Sequence, residues 1–140
     1  MATGSLHRLT VLFANEQEAW LQTARSLLEP QGVRTLSATS GRQALEILSD
    51  QEVHVAVLDY RMPVLGGLQI LKLLHERRGA LPTRPVPPAI LVADEPTTHL
   101  LNEALGARVF SVLSKPVNLN LLLGTLARVM KRHYAGRWPD

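Results

Sequence analysis

Residues 53–67 read VHVAVLDYRMPVLGG, and their reading decides the fold. Val53, Val55, Ala56, Val57 and Leu58 form the near-continuous apolar, β-branched run of a parallel strand buried on both faces, and Pro63, Gly66 and Gly67 stop it and turn the chain. Asp59 therefore stands at the carboxyl end of a central strand. Ligands of open α/β sheets bind along that edge, so a lone carboxylate there is a candidate site on position alone.

Upstream, 9–14 (LTVLFA) reads as a first strand and 18–29 as a helix with Trp20, Ala24, Leu27 and Leu28 on one face, ended by Pro30 and Gly32. A second strand over 33–38 precedes a helix over 40–50, which opens on a capping box, Ser40 with Gln43, and carries an apolar stripe at Ala44, Leu45, Ile47 and Leu48. Downstream, the pattern gives a third helix from 67 to 77, a proline-rich connector over 78–88, a strand at 89–93, a helix at 97–105, a strand at 109–113 and a last helix over 119–133. In that last helix Leu119, Leu122, Leu123, Leu126 and Met130 form the stripe expected to face the core, leaving Leu121 and Val129 as additional apolar residues. Strands alternating with helices argue for a doubly wound parallel sheet, because neighbouring parallel strands need crossovers and those crossovers are right-handed.

At 140 residues, 46% of them apolar, the chain suits one domain over 1–134, with 135–140 as a frayed tail. It has no cysteine, which excludes a disulfide framework and thiolate metal sites and agrees with a reducing cytoplasm. No run approaches the ~18 apolar residues of a membrane span, and the opening MATGSLHR lacks a signal-peptide core, so a cytoplasmic protein without membrane contact is expected. The net charge of +3 is scattered except near the end, at Lys131, Arg132 and Arg137. Cations in a last helical turn favour the helix dipole, and nothing aromatic interleaves with them, so direct nucleic-acid binding is not expected. His7, His54, His75, His99 and His133 show no ligand spacing. Neither a G-x-x-x-x-G-K-[ST] loop nor a G-x-G-x-x-G turn is present, and NEQEAW after the first strand lacks the Gly, Ser and Thr of a phosphate loop.

The stretch around Asp59 also resembles the phosphoacceptor region of bacterial response-regulator receiver domains: an apolar strand, an aspartate, two residues, Met-Pro, and a glycine eight positions after the aspartate, met here by Asp59, Met62, Pro63 and Gly67. A second stretch, VFSVLSKP over 109–116, is similar to the receiver's fifth strand ending in Lys-Pro, here Lys115 and Pro116. The two come in the right order on the right elements, and the resemblance spans nearly the whole chain. It implies a receiver domain over 1–134 with a flavodoxin-like five-stranded sheet of order 2-1-3-4-5. It also implies a role in a phosphorelay, not as an enzyme, in which Asp59 takes a phosphoryl group from a histidine kinase or phosphotransfer protein, with Lys115 as phosphate partner. The implied cofactor is Mg²⁺, which takes one or two carboxylates plus waters and phosphate: Glu16 and Asp59, the backbone carbonyl of Arg61, and Asn15 in the outer sphere. Blander readings stand beside these. A strand-end Asp often caps its own turn, Lys-Pro can be loop chemistry, and residues 15–18 can be a helix start with acids in its first turn.

Departures from the family pattern bear on function. Receivers usually carry two acids after the first strand, where this chain has Asn15 and Glu16. Ala93 stands where a Ser or Thr hydroxyl is usual and Val112 where an aromatic ring is usual, although Phe110 lies two residues away and the spacing from Gly106 to Lys115 is longer than usual. Asp94 has two accounts, an acid near the first turn of the following helix with Pro96 near its start, or a replacement for the acid missing at Asn15. These departures support a second reading, a pseudo-receiver that acts through protein contacts without phosphorylation. A third, a small anion or flavin bound on the same rim, lacks its phosphate loop. The face of the fourth helix, fifth strand and fifth helix is expected to meet a partner or a second copy.

Overall fold

The strands of this chain are too apolar to leave either sheet face in water, and helices cover both. The computed structural model describes residues 9–77 and 85–134; the 135–140 tail and the 78–84 part of the connector lie outside the described residues. Strands β1 (Thr10–Ala14), β2 (Arg34–Ala38), β3 (Val55–Asp59), β4 (Ala89–Ala93) and β5 (Ser111–Ser114) alternate with helices α1 (Glu18–Leu28), α2 (Gly41–Asp50), α3 (Gly67–Arg77), α4 (Thr98–Gly106) and α5 (Leu119–His133). All strand pairs are parallel and the order is β2-β1-β3-β4-β5, the doubly wound sheet that the sequence pattern and the receiver resemblance lead one to expect.

The two faces differ in grain. Alternate strand residues Ala14, Ala38, Ala56, Ala89 and Ala93, with Leu12, Leu58 and Leu91, face α2, α3 and α4. Their neighbours Val11, Phe13, Val55, Val57, Ile90 and Val92 face α1 and α5. Small side chains leave depth for helices to come close, and the alanine-rich face carries three of them where the β-branched face carries two.

Local chemistry sets the ends of the elements, sometimes away from the expected places. Ser40 caps α2, its Oγ accepting from the Gln43 amide at 3.2 Å, while Gln43 Oε1 reaches back to the Thr39 amide at 2.9 Å. Helix α1 ends in a single 3-10 turn, Glu29–Gln31, closed by Gly32 at φ 86°. Its buried stripe is Leu21, Ala24 and Leu28, one residue round from the expected face; Trp20 is only partly buried and meets Phe13 edge-on at 5.6 Å. The expected start of β5 at Val109 is corrected: the Val109 amide donates to Ala104 O and the Arg108 amide to Leu105 O, a Schellman cap with Arg108 at φ 59°. That cap consumes the extra residues after Gly106 and delays β5 to Ser111. In α5, Val129 is fully buried, so the stripe runs through Leu122, Leu126, Val129 and Met130, and only Leu121 is left half exposed.

At the amino end of the sheet His54 fastens three elements. Its Nδ1 accepts the Thr10 amide at 2.9 Å, its own amide donates to Thr10 O, and its carbonyl accepts the Tyr134 hydroxyl at 2.7 Å. Burial, and then the Glu52 charge, push the Tyr134 phenol above its ordinary value. A raised phenol favours the protonated form in the folded state, so this contribution is full below the unfolded value of about 10 and fades as pH rises through the folded one. Tyr134→Phe is expected to cost about 1 kcal/mol at neutral pH. In urea melts at several pH values the gap between the variant and the native chain should narrow above about pH 10; a gap that stays constant or widens contradicts this account.

Candidate functional site

The carboxyl ends of β1, β3, β4 and β5 share one rim, and the parallel order places β4 between Asp59 and the lysine that reaches it. Asp59 is the last residue of β3 and only 4% exposed. Its Oδ2 accepts from Lys115 Nζ at 2.8 Å and its Oδ1 from the Arg61 amide at 3.0 Å. One oxygen thus caps its own turn while the other is held by a charge 56 residues away in sequence. Lys115 follows β5 directly, anchored by its amide on Ala93 O at 2.9 Å.

The loop from β3 to α3 doubles back on the strand it leaves. A Cβ on Gly66 would lie 2.2 Å from Tyr60 O, so only glycine admits that return. Met62 fills the three-helix face, 7% exposed. Between Pro63 and Leu65 the chain makes a γ-turn, the Leu65 amide donating to Pro63 O at 2.7 Å around Val64, which is 98% exposed at φ 70°. The next carbonyl, that of Leu65, lies against α2: a Cβ on Gly41 would approach it to 1.9 Å.

On the β1 side, Asn15 is 5% exposed and its Oδ1 accepts the Gln17 amide at 2.8 Å, an Asx turn leading into α1. Sequence reasoning missed that role, although an Asn shortly before a helix start is its signal. Glu16 is exposed. A cavity of 440 Å³ opens beside Lys115, with Asn15, Gln17, Trp20, Asp94 and Val117 also in its wall. Asp94 is exposed there and lies three residues before Thr97, the residue that caps α4 through its Oγ1 to the Leu100 amide at 3.1 Å. Pro96 directly precedes that cap, near the start of α4, and Asp94 lies two residues further up the chain.

Ala93 is 2% exposed and offers a methyl group where a hydroxyl was looked for. Val112 pairs with Leu91 and packs on the three-helix side. Phe110 lies on the other side, edge-on to His133 at 6.1 Å, so its ring is no substitute for one at Val112. Glu16, Asp59 and the Arg61 carbonyl are oxygen donors of the type a hard divalent cation takes. No group of three or more His, Cys, Asp and Glu that could hold a metal occurs among the described residues.

The family profile described as the response regulator receiver domain matches residues 11–127. Among curated proteins, the sensory/regulatory protein RpfC of Xanthomonas campestris pv. campestris is 33% identical over 120 residues, 85% of this chain and 16% of that protein. Response regulator RR06 of Streptococcus pneumoniae serotype 2 is 25% identical over 90% of this chain and 55% of its own length. The chain therefore spans about half of one such relative and a small fraction of the other. Among solved structures, the signal receiver domain of an HD domain-containing protein from Pseudomonas fluorescens Pf-5 superposes with a TM-score of 0.79 at 25% identity, covering 92% of this chain and 99% of that one. Vibrio cholerae chemotaxis protein CheY4 shares the fold, with a TM-score of 0.77 at 24% identity over 87% of this chain and 98% of its own.

Two stability measurements test the site's physics. Lys115 is 29% exposed at its side chain and can turn to water, whereas the Asp59 side chain, 5% exposed, cannot. Lys115→Met should therefore cost about 3 kcal/mol and Asp59→Asn about 1 or less, with the double variant losing less than the sum; equal and additive losses in urea melts would refute a coupled buried pair. Val64→Asn should gain about 1 kcal/mol by relieving a β-branched residue of left-handed backbone, and an unchanged or lowered midpoint argues against strain there.

Proposed function

Because this chain belongs to the response regulator receiver domain family, we propose that it carries a phosphorelay signal by accepting a phosphoryl group on Asp59 from a histidine kinase or phosphotransfer protein. The observation that supports this reading is the 2.8 Å contact between Asp59 Oδ2 and Lys115 Nζ at converging strand ends. An Asp59 oxygen attacks phosphorus in line as the bond from phosphorus to the donor imidazole nitrogen breaks; the imidazole takes up a proton from water, and the lysine charge stays beside the oxygens that carry the transferred charge. Mg²⁺ is the cofactor we propose, held by Asp59, Glu16 and the Arg61 carbonyl, and when bound it would supply positive charge to the equatorial phosphoryl oxygens.

The chain acts in this reading as a signalling module and not as an enzyme, and the cytoplasm is the compartment it fits; among the described residues no helix is long and apolar enough to cross a membrane. For partner contact or pairing with a second copy we propose the face of α4, β5 and α5, where Leu101, Leu105 and Leu121 are exposed. Ala93 and Val112 favour a second reading, the pseudo-receiver. A ligand shifts an equilibrium only through contacts that differ between two states, and neither residue offers the hydroxyl or the ring that would make such contacts.

Intact-mass measurement after incubation with Mg²⁺ and a small acyl phosphate separates the two. Addition of one phosphoryl group to the native chain and none to Asp59→Asn is the expected result. No addition to the native chain gives the pseudo-receiver reading the field, and equal addition to both removes Asp59 as the acceptor.

A further inference from the structure

Asn15 presents an unused donor beside the acceptor. Only an oxygen can accept the Gln17 amide, so the 2.8 Å bond to Oδ1 fixes which end of the carboxamide is which and leaves the NH₂ group facing away from the turn. Among the described residues Nδ2 has no protein partner, and none of their fully buried side-chain nitrogens or oxygens lacks one. The residue is nevertheless 5% exposed and lines the 440 Å³ cavity together with Lys115. That cavity is open space onto which both Asn15 and Lys115 face.

A carboxylate in the same place would repel a phosphoryl oxygen unless a cation stood between them. The carboxamide attracts that oxygen and needs no cation. It also lowers the negative charge of a rim that already holds Asp59, Glu16 and Asp94. We propose that Asn15 Nδ2 and Lys115 Nζ form a two-donor subsite for a phosphoryl oxyanion, which lessens the need for a divalent cation in phosphoryl acceptance; this last consequence rests on the reading of Asp59 as acceptor. Asp94, in the wall of the same cavity, opposes the anion.

The side-chain amide signal of Asn15, followed by NMR while inorganic phosphate is titrated into the native chain in EDTA, should shift and saturate. Asn15→Asp keeps the acceptor for Gln17 and the shape of the side chain, and should weaken phosphate binding, read on backbone signals of residues 15–17, at least tenfold. Asn15→Ser, which also keeps a turn acceptor, should weaken it similarly, and Asp94→Asn should strengthen it. With an acyl phosphate in EDTA, the native chain should still gain phosphoryl mass, and Asn15→Asp should gain it only when Mg²⁺ is restored. An Asn15 signal that does not move, or equal phosphate affinity in Asn15→Asp, overturns the subsite even if Asp59 is phosphorylated with Mg²⁺. A saturable Asn15 shift in a chain that never gains phosphoryl mass leaves the subsite standing and removes the acceptor.

Discussion

A carboxylate on the last residue of a buried central strand is tolerable only if its charge is answered, and the pair of Asp59 with Lys115 answers it. Asp59 is withdrawn from water while Lys115 keeps part of its surface in it, so the lysine carries the solvation of both. For Nζ to reach Oδ2 at 2.8 Å, β4 must lie between the two strands and β5 must stop where it does. The rim geometry, the turn after Asp59 and the cavity beside Asn15 are arranged around that requirement.

The sheet supports it through its unequal faces. Alanines let α2, α3 and α4 lie close, and Met62, in the loop after Asp59, packs on that side. The α1 and α5 face is filled by larger strand residues, and the cavity opens at the top of that side, between the start of α1 and the segment after Lys115. Ala93 belongs to the three-helix face and ends β4 with a methyl group packed there.

Most of the fold was legible because its signals are local and redundant. A run such as that of β3 has no other use, Ser40 and Gln43 name a helix start, and Asp59 and Lys115 are legible as a pair because each ends a strand. What was not legible depends on hydrogen bonds among residues whose types are permissive. Arg108 at φ 59° carries a cap that glycine would have announced, and so the start of β5 was placed early. The helix expected over 97–105 begins at Thr98, because Thr97 is its cap through the hydroxyl that accepts the Leu100 amide. Val129 and Leu121 are alike in hydropathy, and the angle at which α5 lies on the sheet decides which is buried. The Asn15 role turns on the orientation of one amide, which composition does not encode.

No two neighbouring strands of this sheet are joined by a hairpin, and each pairing spans a helix. Synthesis proceeds from the amino end, so β1 to β4 exist before Lys115 has been made. Until the edge strand docks, Asp59 faces a half-built sheet with no cation opposite, and burying it then would be costly. Asp59 can thus gain its ion pair only after the chain through Lys115 has been made.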